Sequence, residues 1–366
     1  AVHPQYDLRR MSPREQVIKL NVFGERVFTS TKGGDSMLMR KLLVLSLVFV
    51  FAFAGQVFAK TYTIKFSHVV AVETPKGQGA NYFKKIVEER TDGQVKVQVY
   101  PNAALYNDRE AVEALKMNAI QMACPSFSKF TGFVPELQIF DLPFLFEDRD
   151  HLYRFMDSDV GQELLELVKA RGLVGLDYWD NGFKQMTLDE HALVEPENAK
   201  GQKFRIMSSK VLEAQFKAVD ASPQVLPFSE VYSALQQGVV DGQENTLSNI
   251  FTKKFHEVQN YMTLSNHGYL GYMLVTNQIF WNKLPDDLKK TIEACVDDAT
   301  EYTNKRAKAL NMEQLEKIRN SGSVEIHKLT AEERKAWQEE MLEIYPEFYE
   351  VIGKHRIQKA LDLADS

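Results

Sequence analysis

The sequence predicts a two-domain α/β protein, with mixed sheets bordering an interdomain cleft and a long domain-bridging C-terminal helix. Three observations lead there. The chain has 366 residues, room for two domains at the usual ~150 residues each. From Tyr62 onward strand-like and helix-like stretches alternate, which implies parallel or mixed sheets with helices on both faces. The last third changes to a nearly uninterrupted helical pattern.

The elements follow in order. TYTIKFSHV from Thr61 reads as a strand, GANYFKKIVEERT as an amphipathic helix and QVKVQVYP as a second strand. Asp108 caps a helix running to Met117, Ile120 to Cys124 is a buried strand, and Arg149 to Arg171 is one long helix stopped by Gly172. Lys203 to Met207 is a strand, Ser209 to Val219 a helix, Pro223 to Leu226 a strand, and Ser229 to Gln237 a helix ended by Gly238. After Pro285 two aspartates suit a helix start, and the helix runs to Asn320. A last helical block, Thr330 to Asp365, opens on the capping box TAEE and breaks near Pro346 and Gly353. No Pro/Gly/Ser-rich linker occurs, so the domains are expected to be joined by several crossings of the chain, a geometry suited to hinge closure. Residues 60–183 plus about 272–310 are expected to form one domain, and 184–271 plus about 311–366 the other.

Met37 to Ala59 has the three parts of a secretory signal: cationic Arg40 and Lys41, an apolar run from Leu42 to Ala54, and Val57 and Ala59 flanking Phe58 at the cleavage positions. The apolar run makes only about 20 Å of helix, short of a hydrocarbon core of about 30 Å. Cleavage after Ala59 and a periplasmic destination are expected, with residues 1–36 an upstream extension outside the fold. No later segment is apolar enough to span a membrane.

With 44 Lys+Arg against 50 Asp+Glu, a net charge of −6 and mean hydropathy −0.31, the chain is a globular protein and not a nucleic-acid binder. An acidic protein binds an anion through a local set of donors, not through its overall field. Only Cys124 and Cys295 occur, without C-x-x-C or Cys/His spacing, so no metal cluster is expected and the two thiols read as separate and buried. Enzyme and cofactor signatures fail in turn. Gly77-Gln78-Gly79 opens like a dinucleotide fingerprint, but Tyr82 stands where a small residue is required. His256-Glu257 lacks a second histidine, Asn260 being in its place. No G-x-S-x-G elbow occurs. An active site assembled in space from distant residues stays open at this level.

Arg205 interrupts the short strand between Phe204 and Ile206. It is either an edge-strand arginine in solvent or a guanidinium fork facing a carboxylate; residue chemistry by itself leaves both open. The stretches FSHVVAVETPKGQGA, DLPFLFEDRDHLYRF, KFRIM, EVY with GVVDGQEN, and NQIFWNKLP together resemble the solute-binding proteins of tripartite ATP-independent periplasmic (TRAP) transporters, the dicarboxylate-binding type. The resemblance runs from about Tyr62 to the C-terminus. It implies a periplasmic-binding-protein-like fold, a monomer without cofactor or catalytic activity, a small organic acid as ligand, and TRAP membrane permease subunits as partners. By resemblance, Arg205 pairs with the substrate carboxylate and Asn245 bonds the same group. Where the family often has a second arginine, WDNGFKQ carries Lys184, which keeps the charge but loses the planar fork. Arg205 and Lys184 are both expected to lie outside the packed core.

Further ligand candidates are Lys76, just before a predicted helix N-terminus that favours anions, His68 and Ser126 after strands, and Trp179 and Phe228 as aromatic walls. His267, with Tyr269, interrupts apolar sequence and lines the cleft or serves the hinge. The expected function is capture of an organic acid, a C4-dicarboxylate first, for a permease. An extracytoplasmic enzyme acting on organic acids and a ligand-presenting partner of a sensor are the alternatives.

Overall fold

The computed structural model describes residues 60–364, so the signal-like segment and the extension before it lie outside the described residues. In chain order, β1 (Tyr62–Ser67), α1 (Pro75–Arg90) and β2 (Val95–Tyr100) come first. Thr74 caps α1 by accepting from the Gly77 N–H, with Pro75 at the first helical position, so this helix starts earlier than its amphipathic pattern suggests. The two glycines of the failed fingerprint serve packing: a Cβ on Gly79 would collide with Thr303 Oγ1. Next come α2 (Asp108–Lys116) and β3 (Met122–Ala123), a strand shorter than expected. The single helix expected from Arg149 to Arg171 is three pieces. α3 (Arg149–Asp157) and α4 (Asp159–Glu166) are separated by Ser158, which leaves helical geometry at ψ 165° and caps α4 through the Gly161 N–H. Leu167–Arg171 then winds into a 3₁₀ turn that Gly172 ends in the left-handed region.

β4 (Leu173–Leu188), β5 (Lys203–Ile206), α5 (Lys210–Ala218), β6 (Ser222–Val225), α6 (Val231–Gln236), β7 (Gly242–Asn245), α7 (Leu247–Thr252) and β8 (Tyr261–Asn277) follow. The longer elements after it are α8 (Asp286–Ser321), β9 (Glu325–Lys328), α9 (Ala331–Leu342) and α10 (Lys354–Asp362). Pro285 and Gly322 bound α8 within a residue or so of expectation. Between α9 and α10 the predicted break falls at a π-helical turn, Tyr349–Gly353.

Among the described residues nine strands make one continuous sheet in the order β2-β1-β3-β8-β4-β7-β5-β6, with β9 beside β8. Pairing is mixed: β1–β2, β1–β3, β5–β6 and β5–β7 are parallel, β3–β8, β4–β7 and β4–β8 antiparallel. The antiparallel β4–β8 ribbon is the spine. β3 joins it at Val275–Thr276 and β7 at Gln185–Leu188, which are opposite ends of the ribbon, since Val174 faces Thr276 and Leu188 faces Tyr261. α8 runs along this spine: Thr300 accepts from Trp179 Nε1 at 3.0 Å, Asn304 from the Asp180 N–H at 2.8 Å, and Asn311 donates to the Asn181 carbonyl.

Apolar burial on both faces holds the sheet. Ile64, Phe66, Phe83, Ile292 and Val296 belong to one core with Trp179, each large side chain contributing on the order of 1.5–3 kcal/mol. Cys124 and Cys295 are both buried and unpaired. Among the described residues no helix is long and apolar enough to cross a membrane.

Candidate functional site

The C-terminal ends of β5 and β7, the middle of the β4–β8 ribbon, and the turns after β1 and β3 line a narrow cavity. Strands deliver its polar groups rigidly, and loops close it. Arg205 is only 2% exposed, because β5 lies between β6 and β7 and the solvent-facing alternative requires an edge. Its Nε and Nη2 donate to the Leu226 carbonyl at 3.1 and 2.9 Å. Burial pushes its pKa down to about 10, opposed by Glu244 and Asp108, so it stays charged at neutral pH. The Nη1–Nη2 edge, the end that binds a carboxylate by two parallel bonds, has no ion-pair partner among the described residues.

Asn245, beside it in the cavity wall, accepts from Asn249 Nδ2 at 2.8 Å, so the amide of one residue orients the next across a turn of chain. Ser126 and Phe228 also line the cavity; the Phe228 ring lies 6.0 Å from the Arg205 guanidinium.

Lys184 lines the cavity too, but neither it nor Arg205 lies outside the packed core. Both are buried, since a charge on a central strand has nowhere else to go. Lys184 Nζ sits 2.6 Å from Glu244 Oε1, and Glu244 Oε2 accepts from Gln215 at 3.1 Å and lies 2.9 Å from His267 Nε2. Burial pushes the Glu244 carboxyl up, but Lys184 and His267 outweigh it and hold it at about 2. Burial lowers the pKa of His267 against the pull of Glu244. With the ring kept neutral by burial, Nε2–H donates to the acceptor-only Glu244 carboxylate and Nδ1 accepts from Ser265 Oγ at 2.7 Å. The charge of Lys184 is therefore already matched.

Four candidates stand behind the wall instead of in it. Lys76 donates to the Cys124 carbonyl at 2.8 Å and lies 3.6 Å from the centre of the Tyr272 ring; the cation supports that wall. His68 is buried beside it, its pKa pushed down to about 3 by burial and by the charge of Lys76. Trp179 is in the core under α8, 5.9 Å from Phe66. His267 is in the Glu244 network, and Tyr269 packs against Phe127, Phe146 and Phe183.

Sequence reasoning missed Glu244, Tyr272, Asn249 and Lys129, which all line the cavity. Glu244 lay inside the motif GVVDGQEN, where an acid between two amides in a buried strand was the available signal. Lys129 sits in a 3₁₀ turn, Phe127–Lys129, and no periodicity marks it. Asp108, at the start of α2, completes the polar lining. Two cations unbonded to any carboxylate share this small space, which suits an anion. Among the described residues no three His, Cys, Asp or Glu side chains gather to hold a metal ion.

The chain matches the family model of bacterial extracellular solute-binding proteins, family 7, over residues 66–351. It is 47% identical to the C4-dicarboxylate-binding periplasmic protein DctP of Rhodobacter capsulatus over 300 residues, 82% of this chain and 90% of that one. It superposes on a TRAP periplasmic solute-binding protein from Sulfurospirillum deleyianum with bound succinate at TM-score 0.80 and 56% identity, covering 82% of this chain and 98% of the other. A TRAP periplasmic solute-binding protein from Pseudomonas aeruginosa with bound L-malate is similar at TM-score 0.77 and 45% identity, with 78% and 99% covered.

Proposed function

Because the chain belongs to family 7 of the bacterial extracellular solute-binding proteins, the binding proteins of TRAP transporters, we propose that it captures a C4-dicarboxylate such as succinate or malate and delivers it to membrane permease subunits. It is a binding protein and not an enzyme, as its relatives are. One observation carries the choice of ligand class: the buried Arg205 offers an unbonded Nη1–Nη2 edge in the same cavity as Asn245, the geometry that receives a carboxylate in two parallel hydrogen bonds. Relatives similar along most of their length hold succinate and L-malate, which supports a ligand of that size.

The same reading has the chain exported through cleavage after Ala59. It also has two domains, residues 60–183 plus about 272–310 and residues 184–271 plus about 311–366, closing around the ligand. The division crosses the β4–β8 ribbon close to a register shift between Asp180 and Gly182, which supports it. A calorimetric panel of succinate, malate, fumarate, sugar acids, monocarboxylates and neutral sugars tests the ligand class. C4-dicarboxylates are expected to bind tightest; binding of neutral sugars alone would overturn the reading.

A further inference from the structure

Lys129 is a cation that the Glu244 network does not use. Its side chain lines the ligand cavity, and among the described residues its ammonium has neither a hydrogen-bond partner nor an ion-pair partner. Every other cation there is accounted for. Lys184 is held by Glu244 at 2.6 Å, Lys76 is turned to the Cys124 carbonyl behind the wall, and Arg205 keeps one edge for a single carboxylate. The cavity thus holds two like charges, from Arg205 and Lys129, each without a bonded counter-charge. A monocarboxylate relieves one of them. A dianion short enough to lie inside relieves both, and in a space screened from water that difference is large.

Resting on the reading of the protein as an organic-acid binder, we propose that Lys129 receives the second carboxylate of the ligand and is the residue that makes the site prefer dicarboxylates to monocarboxylates, while Lys184 positions Glu244 and the cavity wall. Arg205 and Lys129 then hold opposite ends of one dianion. The two contacts differ in kind: the Arg205 fork fixes the orientation of its carboxylate, whereas the compact ammonium of Lys129 accepts a range of angles and so admits succinate and its hydroxylated or unsaturated relatives alike.

Titration supports this placement. Burial, with the charges of Arg205 and Arg109 and against those of Asp108 and Asp141, holds the Lys129 ammonium down at about 8. A carboxylate arriving beside it favours the protonated form. Near pH 8, where succinate is fully ionised, its binding therefore takes up protons, and affinity falls as pH rises above that value. Asp141, which burial raises to about 6, is already ionised there.

The test uses the intact exported chain and two probes, succinate and butyrate, by calorimetry near pH 8 in two buffers of different ionisation enthalpy. Wild type is expected to prefer succinate strongly and to take up a fraction of a proton with it but not with butyrate. Lys129→Met should weaken succinate by roughly 10²-fold or more, the scale for removing one partner of a desolvated pair. It should leave butyrate within about threefold and abolish the proton uptake. Lys129→Arg should restore part of the preference. Succinate preference and proton uptake unchanged in a Lys129→Met protein with wild-type melting would overturn the assignment, as would equal losses for both ligands. Failure of wild type to bind any dicarboxylate is a separate result and sinks the organic-acid reading itself.

Discussion

Arg205 is oriented before any ligand arrives, because the Leu226 carbonyl takes Nε and one Nη2 hydrogen and leaves the other edge pointing at the cavity. Preorganisation of this kind lowers the entropy cost of binding. Arg205→Ala is expected to raise the dissociation constant of the best ligand about 10²–10³-fold, and Arg205→Lys to recover only part of that, since an ammonium lacks the fork. Titration of both variants decides; wild-type affinity in folded Arg205→Ala would show the role misplaced. For Lys184, held by Glu244, the expected effect is on stability. Its removal strands a buried Glu244 that is otherwise ionised far below neutral pH, so Lys184→Met should cost about 3–5 kcal/mol in urea unfolding. The double variant Lys184→Met/Glu244→Gln should regain most of it, because a neutral amide keeps hydrogen bonds to His267 and Gln215 without an unmatched charge. A double variant as unstable as the single one would mean that lost packing, not charge, sets the cost. The acid side has a defined sign. The Glu244 carboxyl is depressed to about 2, so its stability contribution is fully present above its unfolded value and is lost as pH falls toward 2.

The β4–β8 ribbon places these residues, and its irregularities matter as much as its pairing. Lys184 faces Gly268 while Met186 faces Thr263, so β8 loops outward over residues 264–267 and turns His267 toward Glu244. Gly268 must lack a side chain: a Cβ there would stand 2.7 Å from Lys184 Cε, and Lys184 is held in place by Glu244. Gly268→Ala should therefore destabilise the fold by about 1–3 kcal/mol, the scale for overpacking. The same substitution in a Lys184→Met background should cost clearly less, and equal costs in both backgrounds would refute this explanation. Neither long strand was legible from pattern. β4 carries Asp177, Asp180, Lys184 and Gly182, and β8 carries Asn266, His267 and two glycines, so neither alternates. Partners from elsewhere satisfy their polar groups, as Arg149 at 2.8 Å and Tyr153 at 2.9 Å do for Asp180. By contrast α8 was readable almost to the residue, because a proline, a first-turn acid pair and a terminal glycine are local signals.

At the scale of the molecule, the ribbon with α8 beside it is the connection about which closure would occur. Asn181 ties the two together with the ligand wall: its side chain accepts from Ser248 Oγ at 2.6 Å and donates to the Tyr272 hydroxyl at 2.7 Å, while its carbonyl takes Asn311 of α8. Small-angle scattering should show a smaller radius of gyration when succinate is added, because a ligand held from both sides favours the closed state. An unchanged radius with binding verified in the same sample would count against closure. What the sequence determined by itself was whatever depends on neighbours along the chain or on a stretch of recognisable motif. That covers the α/β alternation, the caps and stops of the helices, the absence of catalytic and cofactor spacings, the family resemblance, and the candidacy of Arg205 and Asn245 that it carries. What only the tertiary structure decided was which charges are free. Lys184 and Lys129 are both lysines in unremarkable contexts, and the sequence favoured the first. Folding brings Glu244, 60 positions away in sequence, to Lys184 and leaves Lys129 facing the cavity unpaired. Charge compensation in a low-dielectric interior is a property of distances across the fold, to which the order of residues along the chain gives no local clue.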